Sequence, residues 1–105
     1  MFDLNKYLRE TRKQIDNTRF YRNPRIKCSD GFSLSVQASR YHYCAPRLDN
    51  LDNYNRVEVG FPSDVEDELL PYQDQPSHND PKEDVYNRVP VELVEEIIND
   101  HGGIK

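Results

Sequence analysis

A chain of 105 residues is the size of one domain and excludes a catalytic domain with a separate regulatory one. With 35% hydrophobic and 31% charged residues and a mean hydropathy of -0.97, it can build a thin core but is polar for a protein that folds alone, so a homo-oligomer is expected. The formal charge of -5 conceals an asymmetry: residues 1–56 carry 11 Lys and Arg against 6 Asp and Glu, and residues 57–105 carry 3 against 13, which joins a phosphate-attracting half to one that argues against tracking a long nucleic acid. No apolar run approaches the roughly 18 residues a membrane span needs, and the charged N-terminus lacks the apolar stretch of a signal peptide. A cytosolic protein with no membrane partner is expected, with Cys28 and Cys44 as free thiols.

Asp3 is placed to cap a helix whose apolar stripe is Leu4, Leu8, Thr11 and Ile15 with Tyr7 beside it, running down by Asn17. After Pro24, Arg25–Ser29 and Phe32–Ala38 flank Asp30-Gly31, the signal of a two-residue type I′ hairpin. Phe32, Leu34, Val36 and Ala38 alternate with Ser33, Ser35 and Gln37, giving one apolar and one polar face. Residues 39–53 lack a period and read as a loop on the sheet. Tyr54–Phe61 alternates again, with Val57, Val59 and Phe61 on one side. Ser63-Asp64-Val65-Glu66 has the form of a capping box, predicting a short helix with Val65 and Leu69 inward and its end at Pro71. Residues 72–84 are predicted as an exposed, mobile loop, and 85–89 as a short strand. Pro90 then opens a last helix with Leu93, Val94, Ile97 and Ile98 inward, Glu92, Glu95 and Glu96 near its positive end, and His101-Gly102 closing it. The fold class is α+β: one domain over 1–105, with a small antiparallel sheet of about three or four strands, an N-terminal helix and two C-terminal helices on one face.

Nucleotide-binding glycine loops, the nucleophile elbow and the zinc-protease motif are all missing, and no Ser, His and Asp spacing implies a nucleophile with its base, so no enzyme is expected. His42 and Cys44 with Cys28 could offer three zinc ligands, His78 or His101 being left as the fourth, but no C-x-x-C accompanies them and neither a metal nor a cofactor is expected. Three segments suit a small anion better. Tyr41–Arg47 puts aromatic rings and the Arg47 guanidinium on one loop, where arginine can grip a phosphate with two bonds. Val59–Ser63 sets Phe61 at a strand end beside Gly60, where a ring can stack on a base. Val85–Pro90 offers Asn87 and Arg88 just ahead of a helix start. Packing in the core is the alternative role for Phe61, and pairing with the acidic half is the alternative for both arginines.

At these segments the sequence resembles the first Thoeris anti-defence family, small phage proteins that sequester cyclic ADP-ribose signals of bacterial Thoeris immunity. The resemblance lies in Asp30–Ser39, Tyr41–Arg47, Glu58–Ser63, Val85–Pro90 and His101–Ile104. It implies a non-catalytic ligand-binding domain in the cytoplasm of an infected bacterium, with a pocket between subunits, a dimer or hexamer, and uptake of cyclic dinucleotides or trinucleotides at a separate site. By motif position Phe61 is the stacking ring and Arg47 and Arg88 hold the diphosphate; Asn87 is an extension of that set. An acidic phage inhibitor of a host defence protein, such as an anti-CRISPR nucleic-acid mimic, is the alternative, and would depend on Glu66, Asp67, Glu68, Glu95 and Glu96. A structural phage component with no ligand would depend on none of these residues.

Overall fold

Strands β3 (Ile26–Lys27), β4 (Ser33–Gln37), β5 (Arg56–Gly60) and β6 (Val85–Pro90) pair in chain order as an antiparallel sheet in the computed structural model, which describes residues 2–14 and 21–105. Among these residues a separate ribbon joins β1 (Lys13–Gln14) to β2 (Tyr21–Arg22), and two α-helices, α1 (Leu4–Thr11) and α2 (Val91–Asp100), pack on the sheet's apolar face. The fold is α+β, as the patterning predicts. No helix among the described residues is long and apolar enough to cross a membrane.

Alternation places the core. Leu34 and Val36 on β4, Val57 and Val59 on β5, and Tyr86 and Val89 on β6 are buried against Leu4 and Leu8 of α1 and Val91, Val94, Ile97 and Ile98 of α2. Val91 takes the fully inward place expected of Leu93, which is half-buried. The opposite sheet face carries Ser33, Ser35 and Gln37, with Gln37 paired across to Glu58 and Ser35 to Gly60. That face has no helix over it in the described residues, and the functional geometry below lies on it.

Asp3 caps α1, its carboxylate accepting from the Lys6 amide at 3.1 Å. Glu95 does not serve its own helix: its carboxylate accepts from the Leu4 amide at 2.9 Å, placing negative charge at the positive end of α1. Helix α1 stops at Thr11, earlier than the stripe predicts: Arg12 still donates to the Leu8 carbonyl at 3.1 Å but is itself extended, so the chain turns into β1, and Asn23 Nδ2 adds a second bond to the same carbonyl at 2.8 Å. Ile15 and the run-down to Asn17 lie outside the described residues.

The hairpin at Asp30-Gly31 forms, but its loop is three residues long. Cys28 N–H donates to the Phe32 carbonyl at 2.7 Å across Ser29, Asp30 and Gly31, and only Gly31 takes positive φ, +95°, where a type I′ turn would need it at Asp30 too. At the far end α2 closes with the Gly103 amide on the Ile98 carbonyl and the Gly102 amide on the Asn99 carbonyl, a Schellman motif that requires the +89° φ of Gly102.

The capping box does not form. The Ser63 hydroxyl accepts from Ser33 N–H at 2.9 Å and its amide donates to the Ser33 carbonyl, extending the edge of β4 instead. The first of the expected C-terminal helices is therefore a 3-10 helix, Asp67–Tyr72, which runs through Pro71, buries Leu69 and leaves Val65 exposed. Residues 72–84 are mostly exposed, as predicted, yet not structureless: a second 3-10 helix spans Pro81–Glu83, and the buried Asp84 carboxylate accepts from the Gln75 amide at 2.8 Å and from Asn79 Nδ2 at 3.2 Å. Pro90 ends β6 and caps α2, one position before the helical site expected for it.

Candidate functional site

The polar sheet face is built around Glu58. Its carboxylate accepts from Tyr43 N–H at 2.9 Å, which lays the 39–47 loop across β5, and the Ala45–Arg56 bridge fastens the loop's other end. Opposite Glu58 the register of β6 slips between Val57↔Val89 and Val59↔Tyr86, so Asn87 and Arg88 bulge out. Arg88 takes φ +48°, a conformation costly for a residue with a side chain, and its amide donates to the Tyr43 carbonyl at 3.0 Å.

This geometry brings two of the expected residues together. The guanidinium of Arg47 lies 5.1 Å from the centre of the Tyr43 ring and that of Arg88 5.8 Å from it, the first fixed by a 3.0 Å bond from Arg47 Nε to the Arg40 carbonyl. Neither arginine makes an ion pair among the described residues, so neither is spent on the acidic half. Arg56 supports the bulge, Nη1 donating to the Arg88 carbonyl at 2.9 Å. Asn87 is directed elsewhere: Nδ2 donates to Asp74 at 2.7 Å, and its Oδ1 is buried without a partner.

Phe61 is not in the core. The alternation that put it beside Val57 and Val59 breaks because its φ is +50°, leaving the ring 49% exposed. Its amide donates to the Asp84 carbonyl at 3.0 Å, and its carbonyl accepts from Arg25 Nη2. The ring lines a cavity of about 420 Å³ with Lys13, Arg22, Asn23, Pro24, Arg25 and Ser35, which does not include Arg47 or Arg88. Of the expected site residues, Arg47 and Arg88 therefore meet at Tyr43, Phe61 lies apart from them in the cavity, and Asn87 is turned to Asp74. Three cations of this cavity carry no site signal in the sequence: Lys13 reads as the polar flank of the N-terminal helix, which in fact ends at Thr11, Arg22 lies in a stretch without a period, and Arg25 reads as part of a hairpin strand.

Ser39, Cys28 and Cys44 are all buried. Ser39 Oγ stands 2.6 Å from His42 Nδ1, but Ser39 is buried and also accepts from Tyr41 N–H. Burial pushes His42 below its ordinary pKa, with the nearby charges of Glu58 raising it and those of Arg22 and Arg47 lowering it further. Cys28 and Cys44 are both buried and unpaired, and burial raises both thiols, so neither is an activated thiolate. Among the described residues no three His, Cys, Asp or Glu side chains come together to hold a metal.

Neither a protein family, a curated protein nor a solved structure matches the chain. What the face carries is two guanidinium groups on the Tyr43 ring and, apart from them, the exposed Phe61 beside Lys13, Arg22 and Arg25.

Proposed function

We propose that the protein is a phage anti-defence protein that binds a cyclic ADP-ribose isomer in the cytoplasm of the infected bacterium and withholds it from Thoeris immunity without cleaving it. The observation that supports this reading is the convergence of Arg47 and Arg88 on one tyrosine ring, both without ion pairs among the described residues, on the sheet face that also exposes Phe61. A diphosphate offers the two guanidinium groups their missing counter-charge, and the adenine ring offers Phe61 a stacking partner. Sequestration also fits a small chain whose 39–47 loop is bonded to β5 and β6, since binding then carries less ordering cost. A homo-oligomer, dimer or hexamer, and uptake of cyclic dinucleotides or trinucleotides belong to the same proposal.

The test is titration calorimetry with a cyclic ADP-ribose isomer made by a Thoeris enzyme, followed by denaturing the complex and identifying what is released. Tight binding with intact ligand returned, weakened by Arg47→Ala or Arg88→Ala, supports the proposal. Absence of heat at micromolar protein, matched by a second binding assay, removes this ligand; release of a cleaved product removes the non-catalytic reading.

A further inference from the structure

We propose that the nucleotide site extends into the cavity beside Phe61, with Lys13 and Arg22 as further phosphate-binding residues beyond Arg47 and Arg88, the Phe61 ring as the base platform, and Arg25 as the residue that positions that ring. The inference rests on the sequestration reading for the identity of the ligand, but its residues come from the cavity alone.

Two features of the cavity point to a bound anion and two to a stacking ring. Among the described residues its lining holds three cations and no carboxylate, in a chain whose net charge is -5. Lys13 and Arg22 are directly opposite each other on β1 and β2, a cross-strand pairing of like charges that weakens a two-stranded ribbon unless an anion lies between them. Phe61 exposes half of an aromatic side chain from a left-handed backbone, unfavourable both for solvation and for conformation. Arg25 holds it there, with Nε donating to Ser33 Oγ at 2.9 Å and Nη2 donating to the Ser33 carbonyl at 3.2 Å and to the Phe61 carbonyl. A fork of donors spanning two carbonyls and a hydroxyl is something lysine could not reproduce.

The backbone that carries Arg22 is anchored. Asn23, which follows Arg22, is buried and bonded to Gln37, to the Leu8 carbonyl and to Thr11 Oγ1, so the ribbon is anchored over Ser35 before any ligand arrives. The volume of about 420 Å³ is of the size that takes a small nucleotide. Ser35 also lines the cavity, and its hydroxyl, which accepts from Gln37 Nε2 at 3.0 Å, keeps its proton to donate to a ribose or phosphate oxygen.

Calorimetry with two probes, the cyclic ADP-ribose isomer and ADP, separates this inference from the reading it rests on. Wild-type protein is compared with Lys13→Ala/Arg22→Ala and with the charge-keeping Lys13→Arg/Arg22→Lys. The expected result is an affinity loss of about tenfold or more in the alanine pair, with most of it restored in the charge-keeping pair. If the cyclic ligand binds and the alanine pair binds it as well as wild type, the inference falls while sequestration stands. If ADP alone binds, and through Lys13 and Arg22, the inference stands and the cyclic ligand is wrong. If wild type binds neither probe, both fall. The positioning role of Arg25 is read from a double-mutant cycle: Arg25→Ala should weaken binding in the wild-type background and add little in Phe61→Ala, whereas equal effects in both backgrounds overturn it.

Discussion

The side-chain amide of Gln37 and the backbone of Asn23 exchange two hydrogen bonds of 2.8 Å, Asn23 N–H donating to Oε1 and Nε2 donating to the Asn23 carbonyl. Gln37 thus acts as a one-residue extension of the β-ladder, pinning the segment after β2 onto the polar face of β4. Both residues are buried, so water cannot replace either bond. Gln37→Leu keeps the volume but strands a buried N–H and a buried carbonyl, and should cost about 2–3 kcal/mol. Urea unfolding measures this; a loss under about 0.5 kcal/mol, the range of an ordinary surface change, would show that the pair anchors nothing.

His101 makes a second tie. It stacks on Phe32 with ring centres 4.0 Å apart, its Nδ1 lies 2.5 Å from Asp30 Oδ2, and its Nε2 meets the Glu66 carboxylate. Burial pulls its pKa down, but bonds and charges from Glu66 and Asp30 outweigh that and hold it above the ordinary value. Asp30 is held below its own, chiefly by the Phe32 amide and then by His101. A raised histidine binds its proton more tightly when folded, so its contribution is complete below about pH 6.5 and is lost as pH rises through the raised value. The lowered aspartate contributes above about pH 3.9 and loses its contribution as pH falls through the lowered value. Melting temperature should therefore be highest between these limits and decline toward pH 9, and His101→Gln should flatten the alkaline decline. An unchanged slope in that variant would assign the decline to other groups.

Local features were legible in the sequence. The Asp3 cap, the two faces of β4, the position of the turn before Phe32, the stripe of α2 and its glycine stop all depend on neighbours within a few residues. The failures came where a distant partner won. Ser63 and Glu66 form a capping box on paper, yet Ser63 is taken by Ser33, 30 residues away, and Glu66 by His101, 35 residues away. At the site, Arg47, Phe61 and Arg88 could be named singly from their chemistry. That two of them share Tyr43 while the third sits with Lys13, Arg22 and Arg25 follows from the β6 bulge and from two left-handed residues, neither of which leaves a glycine as its mark.

The acidic half provides a control whose residues must be chosen by their contacts. Of the five carboxylates that a nucleic-acid mimic would use, Glu66 is bound to His101 and Glu95 to the Leu4 amide, so neutralising either disturbs the fold. Asp67, Glu68 and Glu96 are exposed. The triple variant Asp67→Asn/Glu68→Gln/Glu96→Gln should shift stability by no more than about 0.5 kcal/mol and leave nucleotide affinity within about twofold. Loss of anti-defence activity in infected cells, with nucleotide affinity retained, would favour mimicry.

Phe61 sets stability against function most sharply. A left-handed backbone costs a side-chain-bearing residue about 1–2 kcal/mol, part of which glycine recovers at the expense of a looser unfolded chain. Phe61→Gly should therefore fold more stably than Phe61→Ala by about 0.5–1 kcal/mol, because both lose the ring equally while alanine keeps the left-handed strain that glycine relieves. Both variants remove the stacking surface and should lose about 1–3 kcal/mol of ligand binding. Denaturation and calorimetry on the same two proteins decide it. A glycine variant that is less stable than the alanine one would show that the +50° φ is unstrained, and one that still binds normally would remove the ring from the site.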